Sequence, residues 1–251
     1  MTQAGLVHLD EIFLSLQGEA GEVGRPHAFL RLAGCPLRCN YCDTPRSWQR
    51  HAGFERHLGG VTTRGVNPLD LDGLDRELAA LCSHYEIAPE RITLAVTGGE
   101  PLEQSEFLLA WLPRWPGRVL LETAGIYPER LETLLPWLDF VSLDWKLRST
   151  LREGMDLAQP RACLERAVQA QHARTWIKLV LSRDCEADEV TQALSAIAEV
   201  APGLTVYLQP VTRVPRGPEP PHADQLLAWA LRHDRLGLEL RVLPQVHAFL
   251  G

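Results

Sequence analysis

The sequence predicts an α/β fold, a partial, open TIM-like barrel of about six parallel strands with helices on its outer surface. Short apolar runs alternate with amphipathic helical segments along the chain, a pattern typical of a parallel sheet covered by helices. About six such units indicate a barrel that stays open on one side, because a closed one has eight. The chain has 251 residues, no internal repeat and no convincing linker, so we expect a single domain over 1–251.

The predicted strands are brief runs rich in leucine and β-branched residues. In chain order they cover 28–32, 92–96, 119–122, 140–143, 176–181 and 204–208. Helical periodicity predicts outer helices over 71–85, 105–112, 128–135, 161–172 and 187–200, and a last helix over 223–233. Residues 43–66 are polar and glycine-rich without clear periodicity, so a long insertion loop is predicted there.

Composition and charge exclude several classes of protein. Hydrophobic residues make up 45% of the chain and charged residues 23%, as in ordinary globular domains. The net charge of −7 argues against a nonspecific nucleic-acid surface. The chain has no long apolar stretch and no signal-peptide pattern, so we expect neither a membrane partner nor secretion. Cys82, Cys163 and Cys185 are scattered, as expected for reduced thiols of a cytoplasmic protein.

Three cysteines, Cys35, Cys39 and Cys42, lie within a loop of eight residues, 35–42. Three thiolates suit a [4Fe-4S] cluster in which one iron has no protein ligand and can bind a small molecule. A structural zinc site would need a fourth ligand at a matching spacing, and neither His51 nor His57 provides one. Three clustered cysteines cannot all form local disulfides. A non-catalytic iron–sulfur or zinc protein remains an alternative at this point.

Polar residues follow the predicted strands at the edge where parallel α/β sheets bind ligands. The turn 97–101, Thr-Gly-Gly-Glu-Pro, follows the second strand, and its glycines let the backbone approach a ligand closely. Asp144 and Lys146 share one face at the end of the fourth strand and could form a simple ion pair. Lys178 lies inside an apolar strand and therefore needs a partner or a cavity.

The C-x3-C-x2-C spacing, with an aromatic residue before the last cysteine, resembles the cluster motif of radical S-adenosylmethionine enzymes. The resemblance implies that S-adenosylmethionine binds the open iron and that an electron from the cluster cleaves it to a 5'-deoxyadenosyl radical. The Gly-Gly-Glu-Pro turn and Gln209-Pro210 are similar to motifs that border the cofactor in this superfamily. The implied cofactor contacts are Tyr41, Gly99, Glu100, Ser142, Lys146 and Gln209.

Five further segments carry a more specific resemblance. They are 11–19 (E-I-F-L-S-L-Q-G-E), Gly24-Arg25-Pro26, Phe29-Leu30-Arg31, Cys42-Asp43-Thr44 and the ending 243–247 (L-P-Q-V-H). These segments are similar to one family of this superfamily, the 7-carboxy-7-deazaguanine synthases. The resemblance implies conversion of 6-carboxy-5,6,7,8-tetrahydropterin to 7-carboxy-7-deazaguanine and ammonia, a step towards queuosine and other 7-deazapurines. It implies hydrogen abstraction at C6, ring contraction and regeneration of S-adenosylmethionine.

The resemblance also implies a substrate site for a guanine-like edge and a carboxylate. Its predicted residues are Leu16, Gln17, Gly18, Arg31 and Thr97. Gln17 supplies an amide donor and acceptor, and the planar fork of Arg31 matches a carboxylate. The alternatives are a plain turn for 17–19 and a surface ion pair for Arg31. Glu19 is either a substrate-facing acid or a partner of Arg25 or Arg31.

Thr44 stands where this family has a magnesium-binding threonine, so the resemblance implies a Mg²⁺ site there. Magnesium prefers oxygen ligands and keeps several waters, which one hydroxyl and a substrate carboxylate would allow. Without the resemblance, Thr44 could equally cap the turn after the cysteines.

The expected partners are the pterin substrate, a flavodoxin- or ferredoxin-type reductant and a second copy in a homodimer. The alternative function is a radical activase that installs a glycyl radical on a partner protein. Such an enzyme shares the cysteine spacing and an Asp-x-Lys strand, but it needs a peptide groove in place of a pterin pocket.

Overall fold

A computed structural model describes residues 5–151 and 158–249, and its ten strands form one sheet. The strands are β1 (Leu9–Leu16), β2 (Pro26–Leu32), β3 (Gly53–Leu58), β4 (Val61–Val66), β5 (Thr93–Gly98), β6 (Val119–Thr123), β7 (Phe140–Asp144), β8 (Arg174–Leu181), β9 (Thr205–Pro210) and β10 (Glu239–Val242). Their order in the sheet is β10-β9-β8-β7-β6-β5-β2-β1-β3-β4. The strands β2 and β5 to β10 are parallel neighbours, whereas β1 pairs antiparallel with β2 and β4 antiparallel with β3.

In the described residues, six α-helices precede or connect the parallel strands. They are α1 (Leu71–His84), α2 (Ser105–Trp111), α3 (Pro128–Leu134), α4 (Ala158–Gln169), α5 (Ala187–Val200) and α6 (Ala223–Arg232). The first begins at Asp70, whose carboxylate accepts a hydrogen bond from the backbone N–H of Gly73 at 2.7 Å. Over 5–151 and 158–249, every helix is too short or too polar to cross a bilayer.

The two faces of the sheet have different environments, as the alternation along β8 shows. Ile177, Leu179 and Leu181 belong to the large apolar core on the helix-covered face. Trp176 belongs to a smaller apolar cluster on the opposite face, and Lys178 lines a cavity above it. Both faces of this strand are therefore buried, which explains why its sequence is an almost continuous apolar run.

The sheet is curved so that its inner face surrounds this cavity. Side chains from seven adjacent strands, β9 through β1 in sheet order, or from the residues that directly follow them, line the cavity. Seven strands of a flat sheet would span roughly 29 Å, too far for one cavity of this kind. The 3-10 turn Ala20–Glu22 also lies on the inner face, where Gly21 packs on the ring of Trp176.

The predicted open α/β architecture is confirmed, with a correction to the segment 43–66. The six predicted strands correspond to β2 and β5 to β9, and the six predicted helices to α1 to α6. The segment predicted as a loop instead contains the hairpin β3–β4. Every residue of β4 except Gly65 is exposed, so this part of the hairpin lacks the apolar alternation that identifies a strand. The strands β1 and β10 were also not predicted.

The buried imidazole of His27 should make stability depend on pH. Its ring nitrogens have no hydrogen-bond partner in the described residues, and Nε2 lies 3.8 Å from the carboxylate of Glu22. Burial, with the charges of Arg118 and Arg25, lowers the pKa of His27 to about 4. The unfolded chain binds a proton here below about pH 6.5 and the folded chain does not, so stability is lost as pH falls from about 6.5 to about 4.

Urea unfolding at about pH 7.5 and about pH 5 measures this loss, which should be on the order of 2 kcal/mol from this group. The variant His27→Leu should lose less stability on acidification than the wild type by that amount. The control His84→Leu changes an exposed histidine and should behave as the wild type. An equal loss in the wild type and His27→Leu would show that His27 is not held neutral.

Candidate active site

A cavity of about 420 Å³ lies at the carboxyl ends of the parallel strands. This volume is within the range of small-molecule sites. Three other parts of the chain close it: the cysteine loop after β2, the residues that follow β1, and the C-terminal residues Gln245 and His247. The location confirms that the polar strand ends face a common space.

The three cysteines of the loop 35–42 all line the cavity. Cys35, Cys39 and Cys42 are half-buried and have free thiols. The loop is anchored on both sides: the backbone N–H of Cys35 donates to Trp48 at 3.2 Å, and that of Asn40 donates to Thr150 at 3.0 Å. Burial raises the pKa of the Cys35 thiol to about 12 and also raises the pKa of Cys39. Thiolates here therefore require compensating positive charge, such as bound metal ions.

The glycine turn after β5 packs directly beneath the cysteine loop. The N–H of Gly99 donates to Leu32 at 2.9 Å, and the N–H of Glu100 donates to Gly34 at 2.8 Å. A Cβ at Gly98 would lie 2.2 Å from the oxygen of Leu32, and the φ of Gly98 is +134°. At Gly98 the neighbouring strands β5 and β2 are too close for a side chain, so this position requires glycine.

Glu100 and Ser142, which are also predicted to contact the cofactor, do not line the cavity and make other contacts in the structure. The buried carboxylate of Glu100 accepts hydrogen bonds from Leu102 N–H at 3.0 Å, the Thr123 hydroxyl at 2.8 Å and Ala124 N–H at 2.7 Å. It therefore joins the ends of β5 and β6. Burial raises the pKa of Glu100, and these hydrogen bonds oppose the rise. The hydroxyl of Ser142 accepts a hydrogen bond from the Trp176 indole N–H at 2.9 Å.

The remaining residues predicted to contact the cofactor, Tyr41, Gly99, Lys146 and Gln209, line the cavity beside the cysteines. The ammonium of Lys146 donates to the Tyr41 hydroxyl at 2.7 Å and to Asp144 Oδ2 at 2.5 Å. Burial lowers the pKa of Lys146, but the charge of Asp144, its hydrogen bond and the neighbouring Tyr41 and Cys39 together outweigh burial and raise the pKa. The expected Asp144–Lys146 ion pair is present and forms part of the cavity wall.

Two buried acceptors on this wall have no hydrogen-bond partner among the described residues. They are Oδ1 of Asp144 and Oε1 of Gln209. Buried polar atoms in proteins are almost always hydrogen-bonded, so these two are suited to a ligand that carries hydroxyl or amino donors. The cysteine side of the cavity can therefore hold metal ions next to a polar organic molecule.

A hydrogen-bond network of Gln17, Thr97 and Glu122 lines the other side of the cavity. The amide of Gln17 donates to Glu122 Oε1 at 2.8 Å, and the hydroxyl of Thr97 donates to Glu122 Oε2 at 3.0 Å. Sequence reasoning assigned no role to Glu122; its position at the end of the predicted strand 119–122 was the signal that could have found it. Because both carboxylate oxygens keep further lone pairs, Glu122 can also accept hydrogen bonds from a ligand.

Arg31 lines the cavity next to the stacked rings of Phe13 and Phe29, whose centroids are 4.9 Å apart. Its Nε donates to Glu11 at 3.2 Å, and the terminal guanidinium nitrogens form no hydrogen bond within 5–151 and 158–249. Arg31 can therefore form its ion pair with Glu11 through Nε and still bind a carboxylate through its terminal nitrogens. Leu16 is 40% exposed and also lines the cavity.

Gly18, which is predicted to contact the substrate, does not line the cavity and lies against the C-terminal segment. A Cβ at this position would lie 2.1 Å from Nδ1 of His247, and the carbonyl of Gly18 accepts a hydrogen bond from Val246 N–H at 2.8 Å. The absence of a side chain at Gly18 therefore makes room for the C-terminal segment.

Glu19 and Lys178 form a buried ion pair that faces the cavity. The alternative that Glu19 pairs with Arg25 or Arg31 is wrong, since Arg25 pairs with Glu22 and Arg31 with Glu11. The alternative of a substrate-facing acid stays a prediction. Burial raises the pKa of Glu19, but the Lys178 ammonium and a hydrogen bond from Gln245 outweigh it and lower the pKa to about 2. Burial lowers the pKa of Lys178, but the charges of Glu19, Glu122 and Asp144 and the hydrogen bond to Glu19 together more than reverse that effect. Both groups stay charged at neutral pH.

Thr44 lines the cavity directly after the cysteine loop. Its hydroxyl donates to Asp43 Oδ1 at 3.2 Å. Although Thr44 precedes the 3-10 turn Pro45–Trp48, its side chain makes no capping hydrogen bond to that turn. The hydroxyl therefore has a position where it can also meet a ligand in the cavity.

The chain is similar in sequence to known enzymes over nearly its whole length. No protein-family model matches the chain. It is 32% identical over 260 residues to the 7-carboxy-7-deazaguanine synthase of Geobacter sulfurreducens, with 97% of this chain and 96% of the relative covered. It is 36% identical over 246 residues to the enzyme of the same name from Methanopyrus kandleri, with 94% of this chain and 90% of the relative covered.

Solved structures share the fold. The crystal structure of QueE from Escherichia coli has a TM-score of 0.58 at 18% identity, covering 94% of this chain and 93% of that one. Streptococcus suis SuiB bound to S-adenosylmethionine has a TM-score of 0.54 at 10% identity, covering 83% of this chain and 48% of that one.

Removal of one partner of the Glu19–Lys178 pair should be strongly destabilising. The variant Lys178→Met leaves a buried carboxylate without its cation, which costs about 3–5 kcal/mol of unfolding free energy. The double variant Glu19→Gln/Lys178→Met removes both charges and should recover most of this loss. Denaturant unfolding of the four proteins in this cycle measures the coupling.

The largely exposed pair Arg161–Glu165 provides the control, because water screens this pair and Arg161→Met should change stability little. If the double variant lost as much unfolding free energy as Glu19→Gln and Lys178→Met lose in total, Glu19 and Lys178 would not depend on each other.

Proposed function

The chain belongs to the 7-carboxy-7-deazaguanine synthase family, and from this we propose that it converts 6-carboxy-5,6,7,8-tetrahydropterin to 7-carboxy-7-deazaguanine and ammonia. One observation carries the proposal: a single cavity has three free cysteines on one side and, on the other, polar groups that match a guanine-like edge and a carboxylate. The identity to relatives of this name over nearly the full length of both chains supports it.

The cysteine side fits a [4Fe-4S] cluster and S-adenosylmethionine. Cys35, Cys39 and Cys42 would bind three irons and leave the fourth open. The unpartnered acceptors of Asp144 and Gln209 match hydroxyl and amino groups of a nucleoside. When bound, this pair of cofactors supplies a 5'-deoxyadenosyl radical that abstracts hydrogen from C6 of the substrate, after which the ring contracts. Tyr41, Gly99 and Lys146 would border the nucleoside; these three also line the cavity.

The chain's own residues bind and orient the substrate. The free terminal nitrogens of Arg31 form a planar fork for the substrate carboxylate. Glu122, held by Gln17 and Thr97, accepts hydrogen bonds from the N–H groups of the guanine-like edge. The stacked rings of Phe13 and Phe29 provide an apolar surface beside them. Binding at both ends of the pterin directs its C6 towards the cysteine side.

A magnesium ion completes this proposed arrangement. The hydroxyl of Thr44 lies at the cavity wall, and a hydroxyl oxygen suits Mg²⁺ as a ligand. The remaining ligands would come from water and the substrate carboxylate. The ion would thereby join the cysteine loop to the substrate.

The proposal includes a flavodoxin- or ferredoxin-type reductant, a homodimer and a cytoplasmic location. All six cysteines are free, as in a reducing compartment. The alternative of a glycyl-radical activase gains no support from the relatives. The cavity also favours a small molecule over a peptide, since its volume is about 420 Å³ and polar groups line opposite sides.

Anaerobic incubation of the reconstituted protein with S-adenosylmethionine, reductant and 6-carboxytetrahydropterin tests the function directly. We expect 7-carboxy-7-deazaguanine among the products by liquid chromatography and mass spectrometry, and none from Cys39→Ser. A reconstituted cluster without this product would refute the proposed function.

Replacement of Arg31 by alanine should weaken substrate binding and leave the cluster intact. A hydrogen-bonded charge contributes about 1.5–3 kcal/mol, so we expect KM to rise about 10- to 100-fold. Steady-state kinetics measure KM, and visible absorbance monitors the cluster. Arg64→Ala, at an exposed position of β4, should match the wild type. Loss of cluster absorbance in Arg31→Ala would instead make Arg31 a structural residue.

Removal of magnesium should slow turnover, and Thr44→Ala should raise the Mg²⁺ concentration needed for half-maximal rate by about tenfold. A magnesium titration of the wild type, Thr44→Ala and the control Thr63→Ala measures this requirement. Thr63 is exposed on β4 and should have no effect. Identical titration curves for the three proteins would remove the role assigned to Thr44.

A further inference from the structure

The residues 243–247, which follow β10, cross the open side of the sheet; we name them the C-terminal strap. Leu243 packs against the inner apolar cluster, and its N–H donates to Leu208 of β9 at 3.2 Å. At the other end, the N–H of Val246 donates to Gly18, which follows β1, at 2.8 Å. The strap therefore connects the two flanks of the curved sheet next to the cavity.

Gln245 of the strap binds two carboxylates from different parts of the chain. Its side-chain amide donates to Oε1 of Glu19 at 2.6 Å and to Oδ2 of Asp43 at 3.3 Å. Glu19 is the partner of Lys178, and its backbone N–H donates to the side-chain oxygen of Gln17 on the substrate side at 3.1 Å. Asp43 directly follows Cys42 of the cysteine loop. A primary amide has two N–H donors, which suit two anionic acceptors without adding charge.

We propose that Gln245 is a positioning residue that fixes the position of the cysteine side of the cavity relative to the substrate side. This inference rests on the proposed function of the cavity. Gln245 lines the cavity but makes no hydrogen bond to Arg31, Gln17 or Glu122, whose side chains have other partners. It acts through Glu19 and Asp43.

This role predicts a specific kinetic effect. Hydrogen abstraction needs reacting atoms about 3–3.5 Å apart, and a displacement of about 1 Å can lower the rate about 100-fold. Arg31 and the Gln17–Glu122 pair keep their hydrogen bonds when Gln245 is changed, so the affinity for substrate should persist. Displacement of the two sides relative to each other should therefore lower kcat and leave KM nearly unchanged.

The test compares Gln245→Leu with Gln171→Leu, which makes the same substitution at an exposed position. For Gln245→Leu we expect kcat to fall about 10- to 100-fold with KM within about threefold of the wild type. Cluster absorbance should be unchanged, and more 5'-deoxyadenosine should accumulate per product formed. A wild-type kcat, a rise in KM without a fall in kcat, or a lost cluster would overturn the proposal.

A double-mutant cycle separates the bridge from general damage. If Gln245 acts through Asp43, then Gln245→Leu should change kcat less than about twofold in an Asp43→Ala background. Fully multiplicative effects of the two substitutions on kcat would contradict the bridge.

Hydrogen exchange of the cluster-loaded protein without substrate gives a readout independent of turnover. The backbone amides of 17–22 and 42–45 should exchange faster in Gln245→Leu than in the wild type, and those of α5 should not change. Unchanged exchange in both segments would overturn the proposal. A wild type that makes no product would refute the proposed function, and the exchange result would still decide whether Gln245 holds the two segments.

Discussion

The buried ion pair of Glu19 and Lys178 is the interaction on which the inner face of the sheet depends. Lys178 lies on β8 between an apolar layer and the cavity, where an unpaired ammonium would be costly. Its partner comes from the segment after β1, a strand that lies five positions away from β8 in the sheet. By holding that segment across the open side, the pair also places Gln17 beside Glu122 and leaves the space at Gly18 that the C-terminal strap occupies.

The two sides of the cavity differ in how fully their polar groups are satisfied. On the substrate side, Gln17, Thr97 and Glu122 bind one another and form a rigid surface before any ligand arrives. On the cysteine side, Asp144 and Gln209 each keep a buried acceptor without a partner in the described part of the chain. The first arrangement is suited to the recognition of a substrate of one shape. The second is suited to a cofactor whose donors form hydrogen bonds with the unpartnered acceptors. Membership of the 7-carboxy-7-deazaguanine synthase family agrees with this division.

Much of the fold was predictable because parallel strands buried on both faces produce continuous apolar runs. The hairpin β3–β4 escaped prediction because its exposed side chains carry no such pattern. At the site, spacing alone identified the cysteines. It could not show that Ser142 lies beneath the cavity, because depth along a strand depends on how the sheet curves. The contacts Lys178–Glu19 and Gln245–Glu19 join residues 159 and 226 positions apart, so no local signal reports them.

The central claim is that this cavity brings C6 of a carboxytetrahydropterin next to the radical-forming cofactors. Incubation with substrate deuterated at C6, followed by mass spectrometry of the nucleosides, tests it most directly. The account predicts that deuterium moves from the substrate into the 5' position of S-adenosylmethionine or 5'-deoxyadenosine. Formation of product without transfer of deuterium to the nucleoside would contradict it.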